Sequence, residues 1–226
     1  MKFIEVSPTW YSTYPEAVVG IMALQNVTNP TRVDEIEKLK DELVNQLRRI
    51  FSGQDRSTIE TLPILQAYRN YYKHFNKTYH ILLQLDSIVN KNKSLPQAGG
   101  LVDAMFMAEI GDQLLTAGHD LDRVNLPIHL DIAKGNEKYI LLREQEQTLK
   151  PGDMFISDKV GVLSSIIYGP DYRTRITSSS HQVLYTTYAP PSIPQIAVEQ
   201  HLHKIRDYVL TFNPTGEVSH FEVIKA

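Results

Sequence analysis

The spacing of apolar residues changes period along the chain, and this change does most to limit the fold. Val33, Ile36, Leu39, Leu43, Leu47 and Ile50 recur at helical intervals, and Ser52-Gly53 closes that segment. Thr31 reads as the N-cap, with Asp34 three residues on, and the polar face carries an Asp34–Lys38 pair. Thr61-Leu62-Pro63 opens a second helix running to about Phe75, and Thr78 to Val89 predicts a third. Gly99 to Gly111 predicts a fourth, packed with Leu101, Val102, Met105, Phe106 and Ile110. After a tight Asp120-Leu121-Asp122 turn the pattern shortens. Strands are expected near Ile128 to Ile132, Tyr139 to Leu142, Met154 to Ser157, Val160 to Tyr168 and Gln182 to Tyr188. Phe3 to Val6 and Val18 to Leu24 form an opening strand pair bounded by Ser-Pro, Tyr-Pro and Asn-Pro. Past the linker with Pro190, Pro191 and Pro194, Ile196 to Leu210 reads as a helix and Val218 to Ile224 as a closing strand. Helices and strands in blocks, without strict alternation, make an α+β fold.

The whole of 1–226 reads as one domain. Its core motifs lie in 60–190, with a strand pair and helix in 1–55 and a helix and strand in 195–226 completing it. Hydrophobic residues make up 42%, which rules against wholesale disorder. There is no cysteine, which excludes thiol catalysis, disulfides and Cys-ligated zinc. The formal charge of −3 argues against sequence-independent coating of nucleic acid but leaves room for a local basic patch. The opening MKFIEVSPTWYSTYPEAV has no basic end followed by an apolar run, and Ala17 to Leu24 is too short to span a bilayer. No membrane association is expected, and the cytoplasm is the expected compartment. GxGxxG, Walker and GxSxG signatures are absent.

Three stretches carry chemistry-bearing residues. Tyr68 to Lys93 interleaves aromatics with five Lys/Arg (69, 73, 77, 91 and 93) against one acid, Asp86. Cations there can neutralise phosphates while rings stack on bases. The simpler reading is that the tyrosines pack one helix face while the charges solvate the other, since aromatics at helical spacing are usually core. Gly118-His119-Asp120-Leu121-Asp122-Arg123 sets a histidine beside two carboxylates. Adjacent residues seldom face one ion, so a turn in which Asp120 or Asp122 bonds backbone amides is the simpler reading, and no metal is expected. His201 and His203 diverge around a helix axis and make poor ligands. Tyr168 to His181 forms a polar loop containing Asp171, Arg173, Arg175, Thr177, Ser178 and Ser180. Its guanidinium forks suit phosphate or carboxylate, and a solvated hairpin loop fits the same residues.

In order along the chain stand Tyr14-Pro15-Glu16-Ala17-Val18-Val19-Gly20, Ala67 to Phe75, Leu95-Pro96, Val102-Asp103, the Asp120-Leu121-Asp122 turn, Pro151-Gly152 to Asp158, and Thr174 to Leu184. This series resembles the editing and tRNA-binding module of the phenylalanyl-tRNA synthetase β chain, its third and fourth domains, as found in freestanding relatives. The resemblance implies two interlocked α/β subdomains, with mixed and antiparallel sheets, framing a cleft. In the synthetase that cleft hydrolyses tyrosine wrongly attached to phenylalanine's tRNA. A polar pocket bonds the phenol, whereas phenylalanine would leave those groups unpaired.

By the same resemblance, the chain is expected to act on tRNA or aminoacyl-tRNA, hydrolysing the mischarged ester in trans without a cofactor. Asp171, His119 and Thr177 become catalytic candidates. Asp103, Arg173, Arg175, Ser180, Arg69 and Lys73 become substrate-binding ones. There are departures from the pattern. Ala117 stands where bacterial synthetases carry a pocket histidine, with His119 two positions away, and the later acid aligns near Asp171 or Tyr172. These departures keep a second reading open, in which the same cleft binds RNA or an amino-acid-like ligand without catalysis.

Overall fold

The computed structural model describes residues 2–226. Its elements, in chain order, are β1 (Ile4–Val6), α1 (Pro8–Thr13), β2 (Val18–Gln25), α2 (Asp34–Ile50), α3 (Arg56–Ile59), α4 (Pro63–His74), α5 (His80–Asn90) and α6 (Gly100–Asp112). There follow β3 (Leu115–Asp120), a 3-10 turn at Leu121–Arg123, β4 (Ile128–Ile132), β5 (Lys138–Ile140), β6 (Glu146–Thr148), β7 (Met154–Ser157), β8 (Val162–Ser165) and β9 (Gly169–Pro170). The last are β10 (Val183–Ala189), α7 (Gln195–Leu210) and β11 (Glu217–Lys225).

The strands form two main sheets and a small hairpin, β5–β6. One sheet runs β1-β4-β7-β8-β9, parallel at β1–β4 and antiparallel elsewhere; the other runs β11-β2-β10-β3 and is antiparallel throughout. The N-terminal stretch serves both sheets, with β1 in the first and β2 in the second, which is how the two halves interlock. The fold is α+β with mixed and antiparallel sheets.

In β2 and β10 every residue but Gln25 is buried, because both faces of this sheet are covered. Met22, Leu24, Val183 and Tyr185 meet α6 and α7 through Leu101, Met105, Leu202 and Ile205. The opposite face, with Val19, Ile21, Leu184 and Tyr188, packs toward α4, α5 and the first sheet in one continuous apolar cluster. α7 lies so close that a β-carbon on Gly20 would sit 2.6 Å from Val198 Cγ1.

The four tyrosines of α4 and the turn after it are interior. Tyr68, Tyr71, Tyr72 and Tyr79 are buried, and the rings of Tyr68 and Tyr79 stack with centroids 4.2 Å apart. Each phenol finds an internal partner: Tyr68 donates to Tyr188 O, Tyr71 to Asp153 Oδ1 (2.7 Å), Tyr72 to Ile166 O (2.8 Å) and Tyr79 to Gln113 O (2.9 Å). The reading in which these rings stack on bases is overturned, and the packing alternative holds.

Several boundaries differ from expectation for identifiable reasons. Thr31 does not cap α2. Val33 is extended and buried against Ile36 and Met107, and the helix starts at Asp34 with no side-chain cap. Ser7-Pro8, read as a breaker, is instead a helix start, with Ser7 Oγ accepting Trp10 N–H (3.1 Å) and Pro8 at the first helical position. α3, β3 and β6 were not expected. Val160 to Tyr168 is shorter as a strand because Asp158 Oδ1 accepts the amides of Val160 (2.8 Å) and Gly161 (3.1 Å) in a turn. Among the described residues, no helix is long and apolar enough to cross a membrane.

Candidate functional site

β3 is an edge strand, hydrogen-bonded to β10 on one side only. Its free side borders a cleft of about 310 Å³, walled by α6, the segment from Gly169 to Ile176, Leu142, Ser165, and His80 at the start of α5. Antiparallel pairing turns alternate residues of an edge strand outward. Thr116 N–H accordingly leaves the sheet to reach Glu109 Oε1 (2.7 Å), and Asp120 N–H reaches Thr174 O (2.6 Å). The same alternation aims the N–H and C=O of Gly118 into the cleft between them. A β-carbon on Gly118 would lie 2.9 Å from Ile176 Cδ1 and 3.3 Å from Met105 Sδ, so the absence of a side chain keeps this edge open.

Val102, Met105, Phe106 and Ile176 give the cleft an apolar wall. Against it stand a few polar groups. Glu109 is buried, and burial pushes its carboxyl up to about 8, with the Thr116 amide pulling the other way, so the side chain is neutral at pH 7 and keeps a hydroxyl to donate. Arg175 lies flat over Tyr172, its guanidinium carbon 3.6 Å from the ring centroid, and donates to Tyr172 O (2.7 Å). It forms no ion pair among the described residues, so its charge is available to a ligand. His80 stands at the rim with part of its ring open to solvent, while loss of hydration on the packed side lowers its imidazole pKa. Behind Thr116, its hydroxyl is held by His201 Nε2 (2.8 Å) and Thr187 Oγ1 (2.9 Å), and His201 Nδ1 meets Asp112 Oδ2 (3.0 Å). This relay pins the strand edge from beneath.

The candidate residues named from the sequence separate into five places. Arg175 alone lines the cleft. His119 and Asp171 lie together in a buried chain between the sheets. Because the Asp171 carboxylate accepts from Thr174, His119 Nδ1 donates to Thr174 Oγ1 (2.8 Å), Ser164 donates to His119 Nε2 (3.2 Å), and the Tyr188 hydroxyl donates to Ser164 Oγ (2.7 Å). Burial, with Arg173 nearby, holds the His119 imidazole down to about 3, and burial raises the Asp171 carboxyl. His119 is therefore neutral, fully enclosed and bonded at both nitrogens, and it does not face the cleft. Arg173 binds Asp158 (2.9 Å) and the carbonyl of Arg123 (2.7 Å), with Asp171 at 3.6 Å. Thr177 and Ser180 belong to a turn tied to the strand edge, where Ser180 Oγ accepts Thr177 N–H (2.9 Å) and donates to Asp120 Oδ2 (2.7 Å).

Asp103 points away from the cleft, to Lys40. Arg69 and Lys73 line a separate groove on α4. The Asp120 turn is as expected, with Asp122 N–H donating to Asp120 Oδ1 (3.1 Å). Sequence reasoning missed Glu109 and His80. Glu109 did carry a signal, as one of two acids, with Asp103, in the otherwise apolar run Leu101 to Ile110, whereas His80 carried none. Among the described residues, no group of three or more His, Asp or Glu side chains is placed to hold a metal ion.

A family model described as B3/4 domain matches residues 66–209. Among solved structures, the chain is similar to an N-terminal fragment of the phenylalanyl-tRNA synthetase β subunit from Pyrococcus horikoshii. That match has 13% identity and a TM-score of 0.49, and it covers 99% of this chain and 54% of the fragment, so the chain spans about half the length of that structure. No curated protein matches it in sequence.

Proposed function

The chain belongs to the B3/4 domain family, a domain of the phenylalanyl-tRNA synthetase β subunit, and on that premise we propose that its cleft receives the aminoacyl end of a charged tRNA and hydrolyses the ester in trans. The observation that carries this reading is the composition of the cleft at the free edge of β3, where an apolar wall meets a few convergent polar groups. The amino-acid side chain lies along Met105 and Phe106. The outward carbonyls of Thr116 and Gly118 accept the α-ammonium. His80, neutral at pH 7, takes a proton from a water that attacks the ester carbonyl. Arg175 and the Gly118 N–H face the charge that develops on the carbonyl oxygen. As the carbon–oxygen bond to the ribose breaks, the proton passes to the departing ribose oxygen.

In this mechanism His119, Thr174 and Asp171 hold the loop that presents Arg175. They do not touch the substrate, and Asp103, Thr177 and Ser180 likewise act as framework. The test is release of amino acid from a panel of correctly and wrongly charged tRNAs by the purified protein. Selective release from one mischarged species, slowed at least tenfold in His80→Gln and Arg175→Ala, supports the reading. Release no faster than the spontaneous rate from every species overturns it. The enclosure of His119 and Asp171 favours a second reading, in which the same cleft binds the aminoacyl end without cleaving it; tight binding with no release is its mark.

A further inference from the structure

β11 is the other edge of the four-stranded sheet, at the far side from β3 and its cleft. Ala226 N–H donates to Ala17 O (2.9 Å), and the Ala226 carbonyl accepts Glu16 N–H (3.3 Å). Backbone polar groups alternate sides along an antiparallel strand. Ile224 and Glu222, paired with Val19 and Ile21, therefore also face β2. The N–H and C=O of Phe221, Val223 and Lys225 turn outward, and they find no partner among the described residues. The outward run stops at Ser219, an extra residue where the register with β2 shifts, because such a bulge breaks the alternation. The side chains of the run are open as well. Phe221 is 37% exposed and leans on His203 of α7, with ring centroids 4.9 Å apart. Lys225 is exposed, and its one ion pair is a loose contact of 3.6 Å with the equally open Glu16.

We infer that this edge pairs with the same edge of a second copy of the chain, antiparallel about a twofold axis at Val223, so that the two sheets join edge to edge. The register follows from the residues. Hydrogen bonds form only where outward residues face outward residues. Centring on Phe221 sets Val223 against the bulge at Ser219. Centring on Glu222 opposes that carboxylate to its own copy. Centring on Val223 engages all three outward residues, for about six hydrogen bonds, and sets no like charges together. It also places each Lys225 opposite Phe221 of the second copy, a cation beside an aromatic ring, twice by symmetry. The segment is thus complementary to itself, with ring and cation equally far from the centre, an order that an unrelated strand has no reason to carry. A lysine and a bulge ordinarily guard an edge strand against other chains. Here the bulge leaves Phe221 to Lys225 regular, and the lysine meets a ring.

The experiment is sedimentation equilibrium of the full chain from low micromolar to near-millimolar concentration. It compares the wild type with Phe221→Lys and with Phe221→Lys/Lys225→Glu. Both positions are exposed, and an unchanged melting curve at low concentration checks folding. The wild type should associate reversibly to a dimer and no further. Phe221→Lys opposes two ammonium groups at each end of the pairing and should raise the dimer dissociation constant at least tenfold. The double variant replaces that repulsion with opposite charges and should recover the dimer. Amide exchange supplies a second readout. Protection of Phe221, Val223 and Lys225 should grow with concentration, while that of Glu222 and Ile224, already bonded to β2, should stay constant. A wild type that remains monomeric throughout overturns the inference. So does a dimer that Phe221→Lys leaves equally strong, or one that the double variant fails to restore. The cleft lies at the opposite edge of the sheet, so neither result bears on ester hydrolysis.

Discussion

Lys40 and Asp103 form an ion pair of 2.8 Å with both side chains almost wholly out of solvent, 4% and 2% exposed. Asp103 also accepts the Ala98 amide (2.8 Å), and Lys40 reaches Glu37 (2.9 Å) and the Pro96 carbonyl (3.0 Å). The pair therefore fastens α2 to the first turn of α6, the helix that walls the cleft. Removing one partner strands the other charge in a dry site. Asp103→Ala is expected to destabilise the protein by about 3–5 kcal/mol. The doubly apolar Lys40→Met/Asp103→Leu should recover most of that loss, since no charge is left uncompensated. Guanidinium unfolding of the three proteins reads both effects.

Glu109 makes stability depend on pH in a predictable sense. Its carboxyl is raised from 4.5 to about 8 in the fold, so the stability it contributes is full below pH 4.5 and is lost as pH rises through about 8. A glutamine side chain at this position cannot ionise. The stability of Glu109→Gln relative to wild type should therefore rise across that window by roughly 1 kcal/mol per pH unit, and level off above it. Comparing the two proteins cancels the other shifted groups, Asp153 (raised to about 7) and His119 (lowered to about 3). A difference that stays flat with pH would mean the carboxyl is hydrated in the fold.

Gly118→Ala places a methyl group against Ile176 and Met105, the residues it would meet at 2.9 and 3.3 Å. Both are ends of flexible side chains, so the protein should fold, with a loss of about 1–3 kcal/mol. The displaced Ile176 then moves across the cleft. Binding of aminoacyl-tRNA should fall at least tenfold, and the second change Ile176→Ala should restore it. Filter binding together with a melting curve separates closure of the cleft from unfolding.

Thr174 is the joint between His119 and Asp171. Thr174→Val leaves a buried imidazole N–H and a carboxylate without their partner, at about 1–3 kcal/mol. It should also loosen the segment that carries Arg175. Faster amide exchange confined to residues 171–176, with a lower rate of ester release and little change in apparent affinity, is the expected result. Protection unchanged along that segment would show that the relay does not hold the loop.

Much of the architecture is legible in the sequence where one residue class repeats. The stripe of α2 and the apolar run of β2 are examples, because burial of a helix stripe or of both strand faces imposes a simple pattern. β3 escaped because Leu115-Thr-Ala-Gly-His-Asp lies between unlike surroundings: a packed helix, a buried polar chain and an open cleft. The site was half legible. The loop from Asp171 to Ser180 stood out as polar, yet composition cannot tell which of its side chains turn inward. Asp171 and Thr174 do, while Arg175 reaches the cleft. Glu109 and His80 join the site only because α6 is brought against β3 and α5 against α6, a relation that no local spacing encodes.

The place of β2 bears on how the chain is made. This strand, apolar almost throughout, lies between β10 and β11, both of which are translated long after it. As the polypeptide leaves the ribosome, residues 18–25 have no native neighbours within their sheet until 183–189 emerge. For most of its synthesis the protein therefore displays an unpaired, adhesive ribbon. Its yield in a cell should depend on holdase chaperones and on translation speed more than its finished stability would suggest.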